Sequence, residues 1–360
     1  MSKSTKSGSR RSGRSGTRLA VALGLVALLP AAARGQAWET QASGTTERLR
    51  GVSAVSASVA WASGANGTIL RTVDGGATWA SRPVPGAAAL DFRDIEAFDA
   101  DTAFALSIGP GDRSRIYRTG DGGATWVEQF VNPDPKAFYD ALAFWDARNG
   151  LAVGDPVDGR FTVLRTRDGG ATWARIDPAG MPAALDGDGA FAASGTILIA
   201  RGGGRAWFGS GGGARARIFR TADVGESWEV SDTPVAAGTP SAGLFSIALA
   251  DAQHGVAVGG DYRKEREASD NLALTDDGGV TWRRPGEARL RGFRSAVAYV
   301  PGPGGRMVLA VGPGGSDISR DGGRTWSPLG DEGFHALGIA ADGSAWAVGE
   351  QGHVARLRAR

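Results

Sequence analysis

TVDGGATW, residues 72–79, is the first of six copies of one short pattern. The others are TGDGGATW at 119–126, TRDGGATW at 166–173, TADVGESW at 221–228, TDDGGVTW at 275–282 and SRDGGRTW at 319–326. Their aspartates, Asp74, Asp121, Asp168, Asp223, Asp277 and Asp321, stand 47, 47, 55, 54 and 44 residues apart. Repeats of about 40–50 residues suit a radial array with one four-stranded sheet per repeat. The chemistry of the pattern is local. Asp and Gly favour a tight turn, the carboxylate accepts turn N–H groups, Thr returns the chain to a strand, and Trp buries a large apolar surface. Six equivalent copies cannot all be one active site. The six Asp are therefore read as structural, not as catalytic or Ca²⁺-binding groups.

A second pattern, apolar-Ala-apolar-x-Gly, precedes the turns and reads as an inner-middle strand. It occurs at 59–64, 150–154, 206–209, 255–259, 308–312 and 345–349, with a looser copy at 102–107. That makes seven copies against six turns. The chain runs out after GHVARL, 352–357, where a seventh turn is due, and Trp38 near the start has no turn of its own. Trp38 therefore completes the last repeat. The expectation is an all-β, seven-bladed β-propeller of four-stranded antiparallel blades over residues 38–360, closed by the N-terminal strand joining the last blade, with no free edge between first and last blades. The equivalent tryptophans are Trp38, Trp79, Trp126, Trp173, Trp228, Trp282 and Trp326.

Residues 1–37 differ in kind. Six Lys and Arg lie between Lys3 and Arg18, followed by the apolar run LAVALGLVALL at 19–29 and then small residues. The run is too short to span a membrane and has the layout of a secretory signal peptide. Cleavage after Ala33, Gly35 or Ala37 fits equally. Arg10-Arg11 offers a twin-arginine variant, although the apolar residues due after the pair are missing. The expected location is periplasmic or extracellular, with no transmembrane segment after cleavage. The net charge of +2 owes its sign to this leader, because residues 1–36 hold seven Lys and Arg and no Asp or Glu. The remainder carries 33 basic and 38 acidic residues, which argues against a nucleic-acid partner. With no cysteine, disulfides, thiolate metal sites and cysteine nucleophiles are excluded. None of the three His has metal-ligand spacing, and no phosphate loop or nucleophile elbow stands in its proper context. Neither a metal nor a cofactor is expected, and a redox role has no chemistry to rest on.

Strands a to d of a blade run from centre to rim. The Asp turns join c to d on one face. The b–c and d–a loops share the other, and variable loops on a rigid scaffold are where binding resides. The b–c loops lengthen at 107–115, 154–160, 209–217 and especially 259–271, which includes Asp261, Tyr262 and Arg263. Where d–a loops enter the central strands stand Arg48 and Arg50, Arg93 and Asp94, Tyr139 and Asp140, Phe245, Arg294 and His335. These form the candidate binding face at the mouth of a central channel. The bland alternative is solvated loop ends and inter-blade salt bridges.

The six turns resemble the Asp-box, or bacterial neuraminidase repeat. With GTILRT before Asp74 and GFRS at 292–295, the run of blades resembles the photosystem II stability/assembly factor family over residues 37–360. That resemblance implies an exported, non-enzymatic monomer that binds a partner polypeptide on an arginine-bearing face, with Arg50, Arg93 and Arg294 as the patch. The partner would be a protein of the cell envelope, and nothing in the sequence points to photosynthesis. The same turn also decorates sialidases and xyloglucanases, so a sialidase-like glycosidase or a glycan-binding propeller is the alternative. Three arginines could clamp a carboxylate, with Tyr139, Tyr262 or Tyr299 as nucleophile. The early Arg-Ile-Pro signature is absent, and no Glu partner stands out.

Overall fold

The computed structural model describes residues 1–9, 13, 36–302 and 304–358. The chain divides into two units, Met1–Gly35 and Gln36–Arg360. Residues 10–12 and 14–35 of the expected leader, its apolar run included, lie outside the described residues. Among these, no helix is long and apolar enough to cross a membrane.

The second unit is a ring of seven antiparallel sheets. Blades 1 to 6 cover residues 49–81, 91–131, 139–175, 198–232, 242–283 and 296–330. Blade 7 consists of Ala336–Ile339, Ala345–Val348 and Val354–Leu357, with Trp38–Gln41 as its outer strand. Trp38 pairs with Leu357 and Gln41 with Val354. The first strand of each blade packs beside those of its two neighbours, and that of blade 7 lies beside that of blade 1. Blade 5 has three full strands. Its fourth is reduced to one bridge, in which Leu274 and Arg283 exchange both backbone hydrogen bonds at 2.9 Å.

The apolar-Ala-apolar-x-Gly segments are the second strands. In every copy but those ending at Gly209 and Ser107, the terminal glycine is dictated by the carbonyl that enters the first strand. A Cβ on Gly154 would stand 2.2 Å from the Phe138 oxygen, and one on Gly312 2.4 Å from that of Phe293. The other apolar positions fill the spaces between blades. Trp61 is fully buried and meets Trp126 edge to face at 6.2 Å, and the Trp126 indole donates to the Arg82 carbonyl of the preceding blade.

The six Asp turns share one set of hydrogen bonds. The Thr or Ser four residues after each Asp donates its hydroxyl to one carboxylate oxygen at 2.6 Å in every copy. Its backbone N–H donates to the other oxygen at 2.8–3.0 Å. The Thr or Ser two residues before each Asp is buried and accepts the N–H of the second glycine position. Hydrogen bonds to the charged form hold these carboxyls low, to about 2 at Asp74, Asp121 and Asp277. Each Asp is thus committed to its own turn, as the sixfold repetition requires.

Two expectations follow. Val224 replaces the first glycine of the fourth turn and keeps its left-handed backbone, at φ 55°, where a β-branched residue is strained. Val224→Gly should raise stability by roughly 0.5–1 kcal/mol, the strain relieved less the entropy cost of glycine, read as a higher urea midpoint. Trp38 packs on Phe334 at 5.1 Å and its indole donates to the Ser316 hydroxyl at 3.0 Å. Trp38→Ala should cost on the order of 2–4 kcal/mol and speed amide exchange in Val354–Leu357 ahead of the other blades.

Candidate functional site

The first strands of four blades carry a bulge at the same height. The ladder skips one residue between Leu49 and Gly51, Phe92 and Asp94, Tyr139 and Ala141, and Leu244 and Ser246. A bulge re-aims the side chain of the residue it leaves unpaired. Those residues are Arg50, Arg93, Asp140 and Phe245, and all four line one cavity of about 600 Å³ at the mouth of the ring. Ser295 and His335 line it from blades 6 and 7, and Tyr262, Glu265 and Glu350 come from connections after second strands. The b–c and d–a connections therefore share this face, as the alternation of strand direction demands.

Blade 4 has no such bulge. In its place the segment 189–197, GAFAASGTI, crosses the mouth as a strap. Arg50 donates to the Ala193 carbonyl at 3.1 Å and Arg93 to that of Ala192 at 2.9 Å. Asp155 accepts the Ala190 N–H at 3.0 Å. Ser194 donates to the Ser295 carbonyl at 2.8 Å, and the Thr196 and Ser246 hydroxyls meet at 2.7 Å. Phe191 stacks on Phe245 with centroids 4.2 Å apart, and Tyr262 stands edge-on to both. The strap thus touches blades 1, 2, 3, 5 and 6. Gly195 has φ +78° and lies against Asp94, where a Cβ would meet the carboxylate at 2.2 Å. Beyond the strap is a smaller compartment of about 160 Å³, lined by Asp94, Glu96 and Arg201 among others.

Of the twelve residues named at this face from the sequence, Arg48, Arg50, Arg93, Asp140, Phe245, Tyr262 and His335 meet at the mouth. The others go elsewhere. Tyr139 is buried in the sheet with its ring on Phe130. Asp94 accepts the Leu142 N–H at 2.7 Å and faces the inner compartment. Asp261 ends a strand and accepts the Arg263 N–H at 3.0 Å, and neither lines the cavity. Arg294 is fully buried and donates through Nε and Nη2 to Asp317 at 2.9 and 2.6 Å. The cause is register. Phe293 and Phe138 occupy corresponding places over Gly312 and Gly154, so Arg294 corresponds to the inward-facing Tyr139, and Ser295 to Asp140. A slip of one residue exchanges the two faces of a strand.

Sequence reasoning also missed Asp155 and the strap. Residues 154–160 read as a loop, whereas strand Gly150–Val157 continues to a two-residue turn with Asp158 and Gly159 both at positive φ. A bulge between Gly154 and Pro156 turns Asp155 to the mouth. The sequence signal for the strap was the 55-residue step from Asp168 to Asp223.

Burial sets the charge states here. Desolvation, with Arg93 and Arg48 nearby, draws Arg50 down to about 9, so it stays charged at neutral pH. His335 is pushed down to about 4 by burial and by Arg50, against the pull of Glu350, whose carboxylate lies 2.7 Å from its Nε2. The cations of the mouth at neutral pH are thus arginines. Burial raises Asp155 to about 6 and holds Asp140 well above the usual carboxylate range, with the Asp155 charge adding to it. Among the described residues, no three His, Asp or Glu converge as a metal-ligand set.

The inner compartment gives a pH test. Burial raises Asp94 to about 7 and Glu96 to about 8. A carboxyl whose folded pKa exceeds its unfolded value keeps a proton the unfolded chain has lost, so stability falls as pH rises from about 4 to about 8. Asp94→Asn keeps an acceptor for the Leu142 N–H and has no charge to bury. It should come nearest the parent at about pH 4 and exceed it by on the order of 2 kcal/mol or more at pH 8.5, measured by urea unfolding at both pH values.

The BNR/Asp-box repeat family profile matches residues 317–328. No curated protein sequence matches the chain. Among solved structures, YCF48 bound to D1 peptide superposes with a TM-score of 0.63 at 18% identity, over 90% of this chain and 97% of that one. YCF48 from Cyanidioschyzon merolae gives 0.63 at 16%, over 89% and 99%. The GH74 xyloglucanase from Xanthomonas campestris gives 0.61 at 20%, over 89% of this chain and 53% of its own. These likenesses carry the fold, a β-propeller of seven blades, and the profile match carries its sixth Asp turn.

Proposed function

We propose that this chain is an exported, non-catalytic β-propeller that holds an extended segment of a partner polypeptide at the strapped mouth. The observation that carries the reading is the strap itself. Arg50, Arg93 and Asp155 hold backbone carbonyl and N–H groups of the strap, which is how an extended peptide is gripped whatever its side chains. Beside the strap the cavity stays open, with an aromatic wall of Phe191, Phe245, Phe293 and the 41%-exposed Tyr262. Aromatic and arginine side chains are the ones that anchor protein contacts. YCF48, of similar fold, has been solved bound to a D1 peptide, a precedent for a polypeptide ligand. Export rests on the basic and apolar leader, and makes a protein of the cell envelope the partner.

Arg48 and Tyr262 are half-exposed and hold no part of the strap by hydrogen bonds. Crosslinking pull-downs from envelope extract should therefore lose their main partner in Arg48→Glu and Tyr262→Ser while the melting temperature stays within about 2 °C. An unchanged partner list would move binding away from this face.

One observation favours a glycan reading. Tyr262, Glu265 and Asp140 line the same cavity as Arg48, Arg50 and Arg93, the residue types of a sialidase-like site. Fluorogenic sialosides and glucans should show no turnover by the purified protein. Turnover abolished by Tyr262→Phe would replace the non-catalytic reading with a hydrolytic one.

A further inference from the structure

Blade 3 differs from the others at the mouth because its first two strands are both bulged. The bulge at Asp140 and the bulge at Asp155 lie side by side on paired strands, and both carboxyls line the cavity. Asp140 is only 1% exposed, and one of its carboxylate oxygens has no hydrogen-bond partner. Arg93 favours its charged form from nearby but makes no hydrogen bond to it, because the guanidinium is turned to Asp91 and to the Ala192 carbonyl. An unpartnered acceptor buried beside a second carboxyl is costly unless a donor completes it.

Resting on the peptide-binding reading above, we infer that Asp140 and Asp155 form a subsite for a cationic side chain, Lys or Arg, of the bound polypeptide. An ammonium or guanidinium supplies the donor that the free Asp140 oxygen lacks and offsets the repulsion between the two acids. Phe138 and Phe191 line the same cavity and suit the aliphatic stem of a Lys or Arg, and their faces attract its charged end. Burial raises both carboxyls, and the Asp155 charge raises Asp140 further, so a cation beside the pair favours their charged forms. Two bulges on paired strands aim the pair with precision that solvated acids would not need.

The test uses the full chain and two probes. Peptides Ac-Ala-Ala-Lys-Ala-Ala-NH₂ and the same sequence with norleucine for Lys differ only in the ammonium group. The Lys peptide should bind at least about tenfold more tightly, a difference of about 1.4 kcal/mol. Asp140→Asn should bring the two within about twofold, and Asp155→Asn should act in the same direction. Equal binding of both peptides by the parent protein overturns the subsite and leaves the peptide site standing. The second probe is n-butylammonium, which needs no peptide grip. Shifts of the Asp140 and Asp155 carboxyl carbon resonances on its addition, absent in Asp140→Asn, support the subsite even where neither peptide binds, in which case only the peptide reading falls. No shift together with no Lys preference overturns the subsite outright.

Discussion

The pairing of Trp38–Gln41 with Val354–Leu357 is the contact on which the rest depends. Seven blades make a ring only if the last is finished, and its outer strand comes from the far end of the chain. The join leaves no unfinished sheet where the two ends meet and fixes the spacing of the seven central strands. Arg50 of blade 1 and His335 of blade 7 meet in one cavity because that spacing is closed. A seam that opened would separate them before it disturbed any single blade. Closure also makes the six Asp turns sufficient. The seventh blade needs no turn between its third and fourth strands, because no loop joins them.

The fold was legible in the sequence because its signals are local and repeated. A turn needs Asp and Gly at fixed offsets, a second strand needs Gly where a carbonyl presses on it, and seven copies average out the irregular ones, Val224 included. The site was legible only in part. Position in the sequence placed Arg50, Arg93, Asp140 and His335 at the mouth, but Tyr139 and Arg294 are one residue from the register that faces it. No composition rule tells two adjacent residues of a strand apart when a bulge decides which of them turns outward. Arg294 shows the consequence, since a residue type that suggests binding is instead buried against Asp317.

The strap escaped notice for a different reason. Its sequence, GAFAASGTI, is small and nearly apolar and carries no motif. Its role comes from the space it fills. A ring of seven first strands leaves an axial gap, and polar residues aimed into that gap need partners. A length of backbone meets both needs at once. It brings volume, carbonyls for Arg50 and Arg93, and an N–H for Asp155, all without charge. Apart from Phe191, which stacks on Phe245, and Ile197, its side chains are small, and Gly195 lies tight against Asp94.

That arrangement changes what the charged residues of the mouth can do. Arginines and carboxylates set around one small ring would ordinarily pair with one another and leave nothing for a ligand. Here the strap lies between them: Arg50 and Asp155 each take a peptide group in place of a direct ion pair, and Arg93 takes one beside its pair with Asp91. Hydrogen bonds from charged groups to peptide groups are strong in a site shielded from water. They hold the strap in place and keep opposite charges from collapsing together. The valence left over is visible as the unpartnered Nε of Arg48 and the unpartnered oxygen of Asp140, both on residues that line the same cavity. A mouth braced this way is already held by hydrogen bonds, so the binding proposed for it would carry little ordering cost in the propeller itself.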